Sequence, residues 1–115
     1  MCDEFVSTLD LLPTFAKLAG TPPPVDLDGF DISPVLLGEK GAHSPRTTLY
    51  SLYDYGTNRF ESMREGCWKL HLAAPPKLYD LRSDLAETTD VAAQHPQIVQ
   101  RLWKLGKDKG MGRKE

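Results

Sequence analysis

The sequence predicts an α+β fold, ordered as a helix, a long loop, several short antiparallel strands and a closing helix. Apolar residues recur at helical intervals through STLDLLPTFAKLA, residues 7–19. Strand-favouring residues fill TTLYSLYD, 47–54, and FESMREGCWKLHLA, 60–73, and the second stretch divides at Gly66 into two halves, as a hairpin does. PQIVQRLWKLG, 96–106, opens on proline and sets Ile98, Leu102 and Leu105 on one helical face.

In the first element Ser7 and Asp10 stand at capping-box spacing, and Leu11, Leu12, Phe15, Leu18 and Ala19 form the apolar series. An interior proline loses a hydrogen bond and clashes with the preceding turn. Pro13 therefore requires either that the regular helix begin near Asp10, with Pro13 in its first turn, or that the opening turn be irregular. Gly20 and the prolines at 22, 23 and 24 end the helix. Turn signals at Asp28-Gly29, Gly38, Gly41 and Ser44-Pro45 surround a short apolar patch at 35–37, a loop with one helical turn at most.

Glutamate tolerates positive φ poorly, so the hairpin is expected to close with a three-residue loop that holds Gly66 in the left-handed position. That register sets Glu61 opposite Lys69 and Phe60 opposite Leu70, and gives Lys69 a cross-strand ion pair with Glu61. KLYDL, 77–81, is a further short strand, followed by a polar segment with Asp84, Glu87 and Asp90. The last helix should stop at Gly106, and the tail 109–115 should fray.

Composition bounds the function. The chain has 115 residues, 40% apolar and 26% charged, with a formal net charge of -2, the ordinary balance of a globular chain able to bury a core. No global charge points to nucleic acid, and the basic tail lacks the interleaved aromatics a nucleic-acid surface would use. The apolar runs fall far short of the roughly 20 residues that span a bilayer, and no residues read as a signal peptide, so no membrane partner and no compartment is indicated. Cys2 and Cys67 are too few for a disulfide framework or an all-thiolate metal site, and both are expected to be free.

GCWKLH, 66–71, gathers a cysteine, a lysine and a histidine. Strand alternation puts Cys67, Lys69 and His71 on one face, and Trp68, Leu70 and Leu72 on the core face. At about 3.3 Å per residue, Cys67 and His71 stand roughly 13 Å apart, too far for a nucleophile and its base. DLDGFD, 26–31, offers three aspartates but fails as an EF-hand, because Asp31 occupies the glycine position and Leu37 the twelfth; a turn is the better reading. Asp84 and Glu87, three apart, are read as cap or turn residues. His43, His71 and His95 have no zinc spacing.

The order of motifs, however, resembles the C-terminal portion of a formylglycine-dependent sulfatase of the arylsulfatase A type. STLDLLPTFAKLAG resembles the family's S-x-L-D-L-L-P-T-x-x-x-L-A-G helix, and LDGFDISPVLLG its L-D-G-x-D-L-S-P-x-L-x-G segment. SPRTTLYSLY resembles a strand beginning S-P-R, and MREGCWKLHL the hairpin x-R-x-G-x-Y-K-x-H-F. KLYDLRSDLAETTDVA resembles L-Y-D-L-x-x-D-P-x-E-x-x-N-L, with Leu85 where the family has proline and Asp90 where it has asparagine. The resemblance covers about residues 6–105 in order.

It implies a helix and long loop from the edge of an alkaline-phosphatase-like α/β catalytic domain, here residues 1–46, followed by a C-terminal subdomain, 47–108, with a four-stranded antiparallel sheet and a helix. It also implies a calcium ion and a formylglycine nucleophile in the complete enzyme. Neither Cys2, Cys67, Ser33 nor Ser44 fits the C/S-x-P/A-x-R motif from which formylglycine is made. The chain is thus expected to be a sulfatase fragment, inactive alone, that completes or supports the active-site cleft of its parent. Its partners would be the upstream catalytic domain and, through the parent, a sulfate ester substrate. Lys69 and His71 match the K-x-H of the hairpin and are the candidate substrate-binding residues. An isolated chain would self-associate through apolar surface left by the missing domain. The alternative is a free-standing, non-catalytic binding module derived from a sulfatase.

Overall fold

The structure, a computed structural model, describes residues 2–55 and 58–108. The chain divides into two compact units, with the boundary between Thr47 and Thr48. The tail 109–115 lies outside the described residues.

In the first unit a single 3-10 turn, Thr8–Asp10, runs into helix α1, Leu11–Leu18. The capping box forms as the spacing predicts: Ser7 Oγ accepts from the Leu9 N–H and the Asp10 carboxylate accepts from the Ser7 N–H at 2.8 Å. Pro13 sits in the first turn of α1, where its missing N–H has no helical partner to lose. Gly20, at φ +69°, ends the helix with both Schellman bonds, Gly20 N–H to Lys17 C=O at 3.1 Å and Thr21 N–H to Ala16 C=O at 3.0 Å. The short helix α2, Ser33–Leu36, is the one helical turn of the loop.

The core of this unit is not the apolar series of α1. Pro13, Thr14 and Ala16 face inward, whereas Leu11, Leu12, Phe15 and Leu18 are exposed. The inward side is organised by a buried ion pair, Asp10 with Arg46. Asp10 is 0% exposed, and its carboxylate accepts from the Ser7 and Phe30 N–H groups and from Nε and Nη2 of Arg46. Thr14 Oγ1 donates to the Asp10 carbonyl and accepts from the Ile32 N–H at 3.0 Å. Together these bonds tie the loop 25–32 and the segment around Arg46 to the start of α1. Gly29 fits there because it lacks a side chain: a Cβ would stand 1.9 Å from the Leu9 carbonyl oxygen.

The second unit is a four-stranded antiparallel sheet in the order β1 (Thr48–Tyr55), β2 (Asn58–Glu65), β3 (Trp68–His71), β4 (Lys77–Asp80), with helix α3 (Pro96–Asp108) against β2 and β3. Its core is Met63, Leu70, Leu78 and Leu102, flanked by Trp68, Leu72, Ile98, Val99 and Leu105. β4 is an edge, and the following segment covers it: Asp90 Oδ1 accepts from the Leu78 N–H at 3.0 Å and the Val91 N–H donates to the Leu78 carbonyl at 2.8 Å.

Two expectations are corrected. The β2–β3 hairpin closes with a two-residue loop, Gly66-Cys67, not a three-residue one. Gly66 takes φ +57° at the first central position while Cys67 keeps negative φ, the type II′ pattern, and Glu65 stays in the strand opposite Trp68. Arg64 therefore lies opposite Lys69, and Met63 opposite Leu70, where the three-residue loop put Glu61 and Phe60. The difference is an odd number of residues, so it exchanges the two faces of β2; Met63 joins Leu70 and Leu78 in one buried row. Helix α3 also runs through Gly106 to Asp108. Gly106 is buried within the helix, so packing overrides the stop signal.

Candidate functional site

Alternation along β3 turns Trp68 and Leu70 toward α3 and Lys69 and His71 to the opposite face. On that face the two side chains share one acceptor. Lys69 Nζ donates to Glu87 Oε1 at 2.5 Å, and His71 Nε2 lies 2.7 Å from Glu87 Oε2. All three are half-buried, with side chains 25%, 18% and 24% exposed, so the contact is screened less than one on open surface. Tyr79, opposite Lys69 in the β3–β4 register, packs its ring against His71 with centroids 5.0 Å apart.

Glu87 reaches this face from the segment after β4. Asp84 shapes the turn, its carboxylate accepting from Thr88 Oγ1 at 3.0 Å and from the Thr89 N–H at 2.8 Å. Glu87 itself adopts φ +54°, uncommon for a residue with a long side chain. Burial by itself would raise the Glu87 carboxyl pKa. The hydrogen bond and charge of Lys69, with those of His71, outweigh it and hold the pKa below its ordinary value.

The expected turn role fits Asp84, whereas Glu87 is an ion-pair partner. The expected Glu61–Lys69 pair is replaced by Glu87–Lys69, with Arg64 beside Lys69 in register and its Nε donating to the Gly66 carbonyl at 2.9 Å. Sequence reading missed Glu87 because a partner 16 to 18 positions away leaves no local spacing signal. Asp10–Arg46, 36 apart, escaped for the same reason.

The remaining candidates have local roles. Cys2 and Cys67 are free, and Arg82 Nη2 stands 3.7 Å from Cys67 Sγ. His43 pairs with Glu4 at 2.8 Å, and the His95 ring packs against Trp68 with centroids 4.9 Å apart. In DLDGFD, Asp31 Oδ1 accepts from the Ser33 N–H at 2.9 Å, and the Asp28 carbonyl accepts from Arg46. Among the described residues no group of three or more His, Cys, Asp or Glu could hold a metal ion, and none of their helices is long and apolar enough to cross a membrane.

A four-stranded antiparallel sheet with a C-terminal helix is an architecture this chain shares with solved structures. It superposes on Ps i-CgsB with a TM-score of 0.79 at 24% identity, over 96% of this chain and 25% of that one. It also superposes on the phosphonate monoester hydrolase of Agrobacterium radiobacter with a TM-score of 0.60 at 25% identity, over 94% and 24%. No protein-family profile matches the chain. Among curated proteins, human arylsulfatase A is 37% identical over 89% of this chain and 26% of its own length, and bovine arylsulfatase A 38% identical over 93% and 21%. Chicken arylsulfatase K is 33% identical over 87% and 21%. The chain belongs to the sulfatase family, with the arylsulfatase A type among its relatives, and spans about a fifth to a quarter of the length of the curated proteins it matches.

Proposed function

We infer that this chain is the C-terminal portion of a sulfuric ester hydrolase. Residues 1–46 form the tail end of its α/β catalytic domain and 47–108 its C-terminal subdomain. The nucleophile, a formylglycine, and a calcium ion belong to the upstream catalytic domain, and the chain by itself is inert. Its part in the parent is to complete the substrate cleft, with Lys69 and His71 facing the sulfate ester. The observation that carries this reading is the near-complete alignment of the chain with only about a fifth to a quarter of arylsulfatase A. The exposed Leu11, Leu12, Phe15 and Leu18 agree with a helix whose neighbour lies in the rest of such a parent. Lys69 and His71 are suited to their role because one carboxylate orders both on the sheet face away from the helix.

The test is complementation. Mixed with calcium and an arylsulfatase A truncated where the matched segment begins, the chain should restore hydrolysis of an aryl sulfate; alone it should show none. Turnover by the chain alone refutes the reading. Size-exclusion chromatography with a thermal melt examines the rival, a free-standing binding module. A monodisperse monomer with one cooperative transition favours the module, and association through the apolar helix face favours the fragment.

A further inference from the structure

The charge of the Lys69–Glu87–His71 group bears on the kind of substrate it can meet. The Glu87 carboxylate stands directly against the Lys69 ammonium, and its low pKa keeps it ionised at neutral pH, so the charge of Lys69 is already met within the group. Neighbouring cations on the face are engaged as well. Arg64 donates to the Gly66 carbonyl, and Lys77, opposite His71 in register, lies in the field of Asp90. An anion approaching Lys69 and His71 must displace Glu87 from two charge-assisted hydrogen bonds or remain beside a like charge. A hydroxyl or amide meets no such repulsion, and an ammonium has three donors, of which Glu87 takes one here.

We propose that the Lys69–Glu87–His71 group receives an uncharged polar group, a hydroxyl or amide on the non-sulfated part of the ester, and discriminates against a second anionic group. This rests on the reading that Lys69 and His71 face the substrate in the parent. Glu87 is the residue that sets the preference: its charge opposes the Lys69 ammonium and its two oxygens fix where Lys69 and His71 point.

The intact chain allows a direct test. In side-chain 1H–15N spectra at mildly alkaline pH, inorganic sulfate should leave the Lys69 and His71 signals of the wild type in place. In Glu87→Gln, which keeps the shape and removes the charge, sulfate should shift both signals saturably, with affinity raised about tenfold or more, the scale of one charge-assisted interaction. Sulfate that shifts the wild-type signals as it does those of the variant overturns the proposal, and the wild-type arm decides even if the variant does not fold. In the complemented assembly, the wild type should have a lower KM for an aryl sulfate bearing a hydroxyl than for one bearing a carboxylate, and Glu87→Gln should narrow that ratio about tenfold. If Lys69→Ala and His71→Ala leave both KM values unchanged, the substrate contact itself fails. If they raise KM while Glu87→Gln leaves the ratio unaltered, the contact stands and the preference for an uncharged group fails.

Discussion

Replacing Asp10 by alanine should be the most damaging single change in the first unit. The carboxylate is 0% exposed and holds two backbone N–H groups and two guanidinium nitrogens. Its removal strands Arg46, whose side chain is 6% exposed, as a buried cation. Removing one partner of a buried pair costs about 3–5 kcal/mol; taking about 4, at about 1.4 kcal/mol per decade, the loss is roughly a thousandfold. Both tryptophans, Trp68 and Trp103, belong to the second unit, so fluorescence does not report this change directly. Hydrogen exchange at the Phe30 and Ile32 amides does, since these bond to Asp10 and Thr14, and their protection should fall by that factor. Arg46→Met should cost less, because Asp10 keeps the Ser7 and Phe30 N–H groups. The double variant should then be more stable than the sum of the single losses by about 2 kcal/mol. Additivity within ~0.5 kcal/mol would refute the pairing argument. The pH dependence has a definite sign. The Arg46 hydrogen bonds hold the Asp10 carboxyl below its ordinary value, so its contribution is complete above the unfolded pKa, near ~4, and is lost as pH falls through the folded one.

Three further outcomes follow from the geometry. Leu70→Ala, at a site with 0% exposure in the middle of the core row, should cost about 3–4 kcal/mol in urea unfolding followed by tryptophan fluorescence; a loss below about 1 would contradict the packing. Gly66→Ala should cost about 1 kcal/mol from backbone strain alone, since nothing lies within 4 Å of its added Cβ, whereas Gly29→Ala, which drives a Cβ into the Leu9 carbonyl, should cost clearly more. Glu87→Ala should destabilise the second unit by about 1 kcal/mol or less at neutral pH, given its partial exposure, and the difference from wild type should vanish as pH falls through the lowered Glu87 pKa; a difference persisting at about pH 2 would argue against the ion pairs.

The elements were legible because their signals are local. Ser7 and Asp10 three apart, Gly20 before a proline run, Gly66 between two strand-like halves and Pro96 ahead of an amphipathic stretch each fix a boundary within one or two turns of chain. The candidate site was half legible: alternation placed Lys69 and His71 on one face of β3, but the carboxylate that joins them comes from a turn that Asp84 shapes, and its residue spacing looked like a cap.

What the sequence determined by itself is the order and type of the elements and which residues of β3 face the core, since both depend on backbone propensity and a period of two. The tertiary structure decided the hairpin register, the continuation of α3 through Gly106, and the two ion pairs, Asp10 with Arg46 and Glu87 with Lys69 and His71. Each of these depends on contacts between positions far apart in the chain. A difference of one strand face, or the burial of one carboxylate, is settled by which side chains can be desolvated together, and no local pattern encodes that.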